Sequence, residues 1–174
     1  MLIRDEVRVP QARVPFFIMM IRRYLVLIAL MFWQGGFTFY AAVVVPVGTA
    51  VLGNSALRQG FITRRVTVWL NLTAAVALAV LAADVLVCRE RSRRRFWARW
   101  LLWAFLAACQ ALLVWLHGSL DALMVEKGRI ILDPELFRPA HRLYLWTHTA
   151  QWAGVLVFVA LTLLAWRGED RSRK

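Results

Sequence analysis

Three histidines and one aspartate are the residues of this sequence whose types and spacing favour metal or haem chemistry. His117 and Asp121 are four positions apart, so they share a face if the segment is helical, and His141 approaches them if the connecting loop folds back. His141 and His148 lie about 10 Å apart along a regular helix, too far to bind one metal ion together. A haem would need His117 opposite one of them. There is no HExxH motif and no paired-cysteine motif. One alternative is therefore a haem or copper site at His117, Asp121, His141 and His148.

A second group consists of polar residues that lie inside apolar segments at similar depths. Its members are Gln34, Thr38, Asn71, Gln110, His148 and Gln151. Polar side chains inside a membrane are costly and usually face the interior of a helix bundle. We therefore predict a polar intramembrane cluster whose simplest role is interhelical hydrogen bonding, worth about 0.6–2 kcal/mol per contact. The alternative is a path for a substrate or an ion, which would require an oligomer because four short helices enclose little volume.

Asp84 is the only carboxylate inside a predicted span. We expect it to form an ion pair with Arg89 or Arg91 near the membrane surface rather than to relay protons. The sequence has no Ser/His/Asp set, no phosphate-binding loop and no pair of carboxylates at one depth. It provides no positive evidence for catalysis, so we favour a non-enzymatic role.

The composition indicates that these residues lie in a membrane protein. The chain of 174 residues is 61% hydrophobic and has a mean hydropathy of +0.59, against about 45–50% apolar residues in an average soluble domain. Its net charge of +12 is typical of nucleic-acid-binding proteins. The basic residues, however, lie between apolar runs, where they act on membrane topology. We therefore expect the lipid bilayer, and not a nucleic acid, as the partner.

The hydrophobic runs predict an all-α integral membrane protein, a bundle of four transmembrane helices. The spans cover about 23–47, 66–88, 96–118 and 141–166. Between the second and third spans lies a turn with six arginines that set the topology: Arg89, Arg91, Arg93, Arg94, Arg95 and Arg99. With this turn inside, 15 of the 22 basic residues lie in cytoplasmic segments and 7 outside. The prediction is a multi-pass protein of the bacterial inner (cytoplasmic) membrane with both termini in the cytoplasm.

Small residues at helical spacing indicate how the helices approach one another. The second span carries Ala75, Ala79 and Ala83, and the third carries Ala104 and Ala108. We expect these faces to contact neighbouring helices.

Several short segments resemble the transmembrane protein 205-like family of small four-span proteins. They are Gly35-Gly36-Phe37 through Val44-Val45-Pro46, Gln59-Gly60-Phe61-Ile62, and Phe137-Arg138 with His141. The resemblance implies the same four-span layout and no established enzymatic activity. Where the family usually has Ser and Asn after the histidine of its last span, this chain has Tyr144 and His148.

Two functions follow as hypotheses. The first is a non-enzymatic membrane protein with a structural or interaction role or a place in a small transport assembly, in contact with its own copies or with another membrane protein. The second is a metal- or haem-binding redox protein.

Overall fold

Four long helices form nearly the whole molecule. The structure, a computed structural model, describes residues 16–52, 56–88, 90, 92–125 and 130–171, without the side chains of residues 56 and 57. The helices are α1 (Phe16–Leu52), α2 (Ala56–Val87), α3 (Arg93–Ala122) and α4 (Pro134–Arg171). Each contains a stretch that is long and apolar enough to cross a membrane.

Consecutive helices run antiparallel and give the bundle two ends. At the turn end, residues 88–92 join α2 to α3, and the N-terminus of α1 meets the C-terminus of α4 through ion pairs. At the hairpin end, strands β1 (Met124–Val125) and β2 (Ile130–Ile131) pair antiparallel between α3 and α4.

The first helix is longer than predicted, and two π-helical segments interrupt it, Met31–Gly35 and Tyr40–Val44. The predicted span ends near Pro46, whereas α1 continues to Leu52. The N–H of Val45 donates to the carbonyl oxygen of Tyr40, five residues earlier, which is the wide turn of a π-helix. A proline ring inside a regular helix clashes with the carbonyl four residues earlier. We attribute the passage through Pro46 to the wider turn that precedes it.

Two segments predicted as outer connections are helical. The segment 56–65 is the first part of α2, and residues 134–139 open α4. Asp133 caps α4, because its Oδ1 accepts hydrogen bonds from the N–H groups of Glu135 and Leu136 at 3.0 Å each. Pro134 follows at the first helical position, where its missing N–H costs nothing.

Both the core of the bundle and the outer surface of its helices are largely apolar. The buried residues nevertheless include several polar and charged side chains. Val26, Leu81, Leu106, Val155 and Phe158 are fully buried and form the centre of the core. The exterior is also rich in large exposed apolar side chains along all four helices. This combination is typical of multi-pass membrane proteins, whose outer surface faces lipid.

The alanine faces predicted to join the helices lie on the outer surface instead. The exposed members are Ala75, Ala79, Ala83, Ala104 and Ala108. The close approach occurs at Gly154 of α4, where an added Cβ would lie 3.0 Å from Leu106 Cδ2 and 3.2 Å from Phe105 Cε1 of α3. Spacing alone cannot tell which of several small-residue faces is turned inward.

Candidate functional site

A partly open cavity of about 430 Å³ lies at the hairpin end, lined by all four helices and by β1. Its apolar walls come from Val45, Gly60, Leu120, Met124, Phe137 and Leu145. Its polar lining consists of Thr49, Gln59, Thr63, Arg64, Thr67, His117, Asp121, His141 and Tyr144. A volume of this size, mostly apolar walls and a few convergent polar groups are typical of small-molecule binding sites.

An ion pair between α2 and α3 forms one wall of this cavity. Arg64 Nη2 donates to Asp121 Oδ2 at 2.8 Å, and Arg64 Nε contacts the other carboxylate oxygen. Arg64 Nη1 also lies 3.4 Å from the carbonyl oxygen of Met124, which links the pair to β1. The carboxylate of Asp121 is therefore neutralised by an arginine.

Three of the four residues predicted as metal ligands line this cavity, namely His117, Asp121 and His141. His141 stacks on Phe137 with ring centroids 5.6 Å apart. Neither His117 nor His141 makes a hydrogen bond with the described residues. Within the described ranges, no three His, Cys, Asp or Glu side chains are placed to hold a metal ion. His148, the fourth predicted ligand, does not line the cavity.

Gln59 is a cavity residue that the sequence analysis missed because it assigned the segment to a connection. Its side chain is 5% exposed, and its Nε2 has no hydrogen-bond partner among the described residues. The amide packs on Gly48 of α1, where an added Cβ would collide with Gln59 Oε1 and lie 2.9 Å from Cδ. An uncharged polar residue within the Gln59-Gly60-Phe61-Ile62 motif was the one available signal.

The hydroxyl groups beside Gln59 are already paired. Tyr40 donates to Thr63 Oγ1 at 2.9 Å, and Thr63 donates to the carbonyl oxygen of Gln59 at 2.9 Å. Gln59 Nε2 and the two imidazoles are polar groups of the lining that have no hydrogen-bond partner among the described residues.

Three members of the predicted polar cluster form a direct hydrogen-bonded chain. Gln110 Nε2 of α3 donates to Asn71 Oδ1 of α2 at 3.0 Å. Gln151 Nε2 of α4 donates to Gln110 Oε1 at 3.1 Å and to the carbonyl oxygen of Leu106 at 3.2 Å. The chain thus links α2, α3 and α4 in the interior of the bundle.

The other three members meet between α1 and α4. Thr38 Oγ1 accepts from Trp152 Nε1 at 3.2 Å, and Gln34 Nε2 lies 3.4 Å from the Trp152 carbonyl oxygen. His148 is buried, with its ring stacked 4.1 Å from Phe37 and edge-on to Tyr144 at 5.2 Å. The cluster therefore has two parts, a hydrogen-bonded chain and a largely aromatic contact.

A second polar site lies at the turn end, around Asp84. The side chain is fully buried, and Arg99 Nη2 donates to Asp84 Oδ2 at 2.6 Å. Trp166 Nε1 donates to Oδ1 at 3.2 Å, and Arg22 Nε lies 3.1 Å from the same oxygen without hydrogen-bond alignment. The expected partners, Arg89 and Arg91, lie outside the described residues. The described partners come from α1, α3 and α4 instead.

The predicted topology determinants have different environments. Arg93 and Arg94 are exposed, and Arg95 pairs with Glu90 at 2.9 Å. Arg99 is not part of the exposed turn: it is 0% exposed, and its Nε and Nη1 have no hydrogen-bond partner among the described residues. Arg99 lies six positions after the first residue of α3, on the side of the helix that packs into the core. Its closeness to the turn in the sequence therefore did not predict its burial.

Further ion pairs fasten α1 to α4 at the turn end. Arg22 Nη2 pairs with Glu169 Oε2, and Arg23 Nη2 lies 3.2 Å from the same oxygen. Arg23 also pairs with Asp170 at 2.8 Å and lies over the Trp166 ring, 5.3 Å from its centroid. Both arginines therefore bind carboxylates of α4.

Neither protein-family models, characterised proteins nor solved structures gave a match to this chain. The resemblance to the transmembrane protein 205-like family stays a prediction.

Proposed function

We propose that the chain is a four-span protein of the bacterial inner membrane, with both termini in the cytoplasm, that binds a membrane-soluble small molecule in the hairpin-end cavity. It acts on this ligand by binding alone, either by itself or within a small transport assembly, and catalyses no reaction. The arginine-rich turn supports the orientation, since clustered arginines are retained on the cytoplasmic side.

The distribution of polarity supports the membrane location. Trp69, Leu101, Trp115 and Trp146 are all more than 60% exposed, while Asp84 and Arg99 are fully buried. In water such a surface would aggregate, whereas lipid solvates it and disfavours charge outside the bundle.

The single observation that carries the binding function is the cavity. Four helices that pack without a ligand normally fill the space between them, because an empty space forfeits van der Waals contacts. Here the walls are largely apolar, and an ion pair, two imidazoles and an unpaired amide converge on the space. This composition fits an amphipathic guest drawn from the bilayer.

A cavity-filling variant tests this function. Gly60 lines the cavity, and a Cβ added there would lie 3.5 Å from Met124 Cε, in ordinary van der Waals contact. We expect one amphiphile to co-purify with the wild-type protein in about equimolar amount and to be depleted in Gly60→Leu, as measured by mass spectrometry of organic extracts.

Gly118→Leu is the matched control, because Gly118 lies in α3 near the same end of the bundle and an added Cβ would meet no neighbouring side chain of the described residues within 4 Å. It should retain the wild-type amount of the amphiphile. Equal extracts from the wild-type protein and Gly60→Leu would contradict the proposal.

The redox alternative has one observation in its favour, that His117 and His141 line the same cavity. The donors do not fit a metal centre well, because Asp121 is bound by Arg64. Stoichiometric iron or copper with a corresponding absorption band, lost in both His117→Ala and His141→Ala, would replace the binding function by this one.

A further inference from the structure

The cavity is electrically balanced. Its two ionised lining residues, Arg64 and Asp121, bind each other at 2.8 Å, and histidine is mostly uncharged at neutral pH. An anionic or cationic head would be desolvated there without a free counter-charge, which is unfavourable. A neutral ligand is therefore favoured over a phospholipid or an amine.

One buried hydrogen-bond donor in the cavity lacks a partner. The Gln59 amide is 95% buried, and its Nε2 makes no hydrogen bond with the described residues. Unmet buried donors are costly and are retained when a ligand completes them. Gly48 provides the space that the amide occupies. The group that completes this site is an oxygen acceptor such as a carbonyl.

The walls favour a flat ring attached to a hydrocarbon chain. Phe137 and His141 both line the cavity and are stacked on each other with an angle of 11° between their planes. Leu120, Met124 and Leu145 provide apolar walls for the rest of the ligand. Planar rings gain from offset stacking on aromatic side chains.

We propose that the cavity binds the head of a neutral lipid quinone, with one quinone carbonyl accepting a hydrogen bond from Gln59 Nε2. This assignment rests on the proposed binding function and adds the ligand class to it. A quinone head combines the required features: it is uncharged, it is planar, it carries carbonyl oxygens on opposite edges of the ring, and its isoprenoid chain is soluble in the bilayer.

The test uses delipidated full-length protein in detergent and measures binding of decylubiquinone by thermophoresis. We expect saturable binding that is about three- to tenfold weaker in Gln59→Leu, the range for one hydrogen bond between neutral groups. Gly48→Ala, which displaces the same amide, should weaken binding similarly. Gln34→Leu carries the same change on α1 away from the cavity and should bind as the wild type does.

Thermal unfolding separates this role from a structural one. Because Gln59→Leu removes an unsatisfied donor, the ligand-free variant should melt at the wild-type temperature or above it. A lower melting temperature together with unchanged quinone affinity would overturn the assignment of Gln59.

Two further ligands distinguish failure of the quinone assignment from failure of the binding function. Dioctanoylglycerol is neutral and has carbonyls but no ring, and dioctanoylphosphatidate is anionic. Binding of either one in place of decylubiquinone, abolished in Gly60→Leu, would keep the cavity as a binding site and overturn the quinone. Absence of binding by all three, with no amphiphile in the extracts, would overturn both.

Discussion

Asp84 is a charged residue in the interior of the bundle. Its carboxylate is fully buried, and two of its three partners, Arg22 and Arg99, are cationic. A buried ion pair is weak evidence for added stability, but removing one partner leaves a buried charge uncompensated. Arg99 makes two further contacts inside the bundle. Its Cζ lies 5.7 Å from the Phe158 ring centroid, and its Nη2 lies 3.4 Å from Thr162 Oγ1.

Asp84→Asn should destabilise the protein strongly. The change leaves Arg99 inside the bundle without its counter-charge, which we expect to lower the free energy of unfolding by about 3–5 kcal/mol. Denaturation in detergent, followed by circular dichroism, measures the effect.

Asp170→Asn is the matched control at the same end of the bundle. The side chain of Asp170 is 50% exposed in its pair with Arg23, so the loss should stay below about 1 kcal/mol. The double variant Asp84→Leu with Arg99→Met should recover part of the loss, because it removes both charges. Equal losses in the free energy of unfolding for Asp84→Asn and Asp170→Asn would show that the buried ion pair stabilises the protein no more than the exposed one.

The sequence could predict that Asp84 pairs with arginine, but not with which one. Arg99 is 15 positions away and Trp166 is 82 away. Contacts of this range depend on how the helices are rotated about their axes, which hydropathy does not report. The prediction therefore chose Arg89 and Arg91, two arginines close to Asp84 along the chain, and not Arg99.

The hydrogen-bonded chain of amides gives a graded prediction. Gln110 is its middle member, so Gln110→Leu breaks two side-chain contacts, whereas Asn71→Leu breaks one. At about 0.6–2 kcal/mol per contact, thermal stability in detergent should fall about twice as far for Gln110→Leu.

Thr149→Val is the control for this series, because Thr149 is exposed and, among the described residues, its side chain bonds only to the Leu145 carbonyl of its own helix. It should melt as the wild type does. Unchanged melting of both amide variants would mean that the chain contributes nothing to stability.

At the scale of the elements, hydropathy predicts how many helices are long enough to span a membrane, and local chemistry sets where they end. Each predicted span lies largely within one observed helix. The observed α1 continues past Pro46, α2 begins at Ala56 rather than at about residue 66, and α4 begins at Pro134 rather than at about residue 141. A π-turn precedes the first proline, and Asp133 caps the helix that begins at the second. The Asp133-Pro134-Glu135 sequence is a capping signal that could have placed the start of α4 correctly.

The contact between α3 and α4 at Gly154 should be sensitive to a single methyl group. Gly154→Ala places a Cβ 3.0 Å from Leu106 Cδ2, and Leu106 is fully buried and has little room to move. We expect a loss of about 1–3 kcal/mol, the usual cost of overfilling a packed core. Thermal unfolding in detergent measures it.

Gly118→Ala is the control on the same helix pair, since nothing lies within 4 Å of its added Cβ. It should be neutral or stabilising, because alanine has the higher helix propensity. A Gly154→Ala variant as stable as Gly118→Ala would mean that the two helices are not in close contact at this position.

At the scale of the whole molecule, the two ends of the bundle differ in kind. The turn end is closed by ion pairs that join all four helices through Asp84 and Glu169, whereas the hairpin end contains the cavity. Hydropathy could predict neither the ion pairs nor the cavity, since both depend on which side chains meet across the bundle. If the turn end lies in the cytoplasm, the cavity faces the outer leaflet.

This orientation can be tested with two single cysteines at exposed positions of opposite ends, Arg94→Cys and Leu132→Cys. The native Cys88 and Cys109 are buried and are replaced by alanine in both variants. Because the arginine-rich turn is expensive to move across a bilayer, a membrane-impermeant maleimide should label Leu132→Cys in intact spheroplasts. Arg94→Cys should react only after the membrane is permeabilised. The opposite pattern would place the cavity in the cytoplasmic leaflet and reverse the side from which its ligand enters.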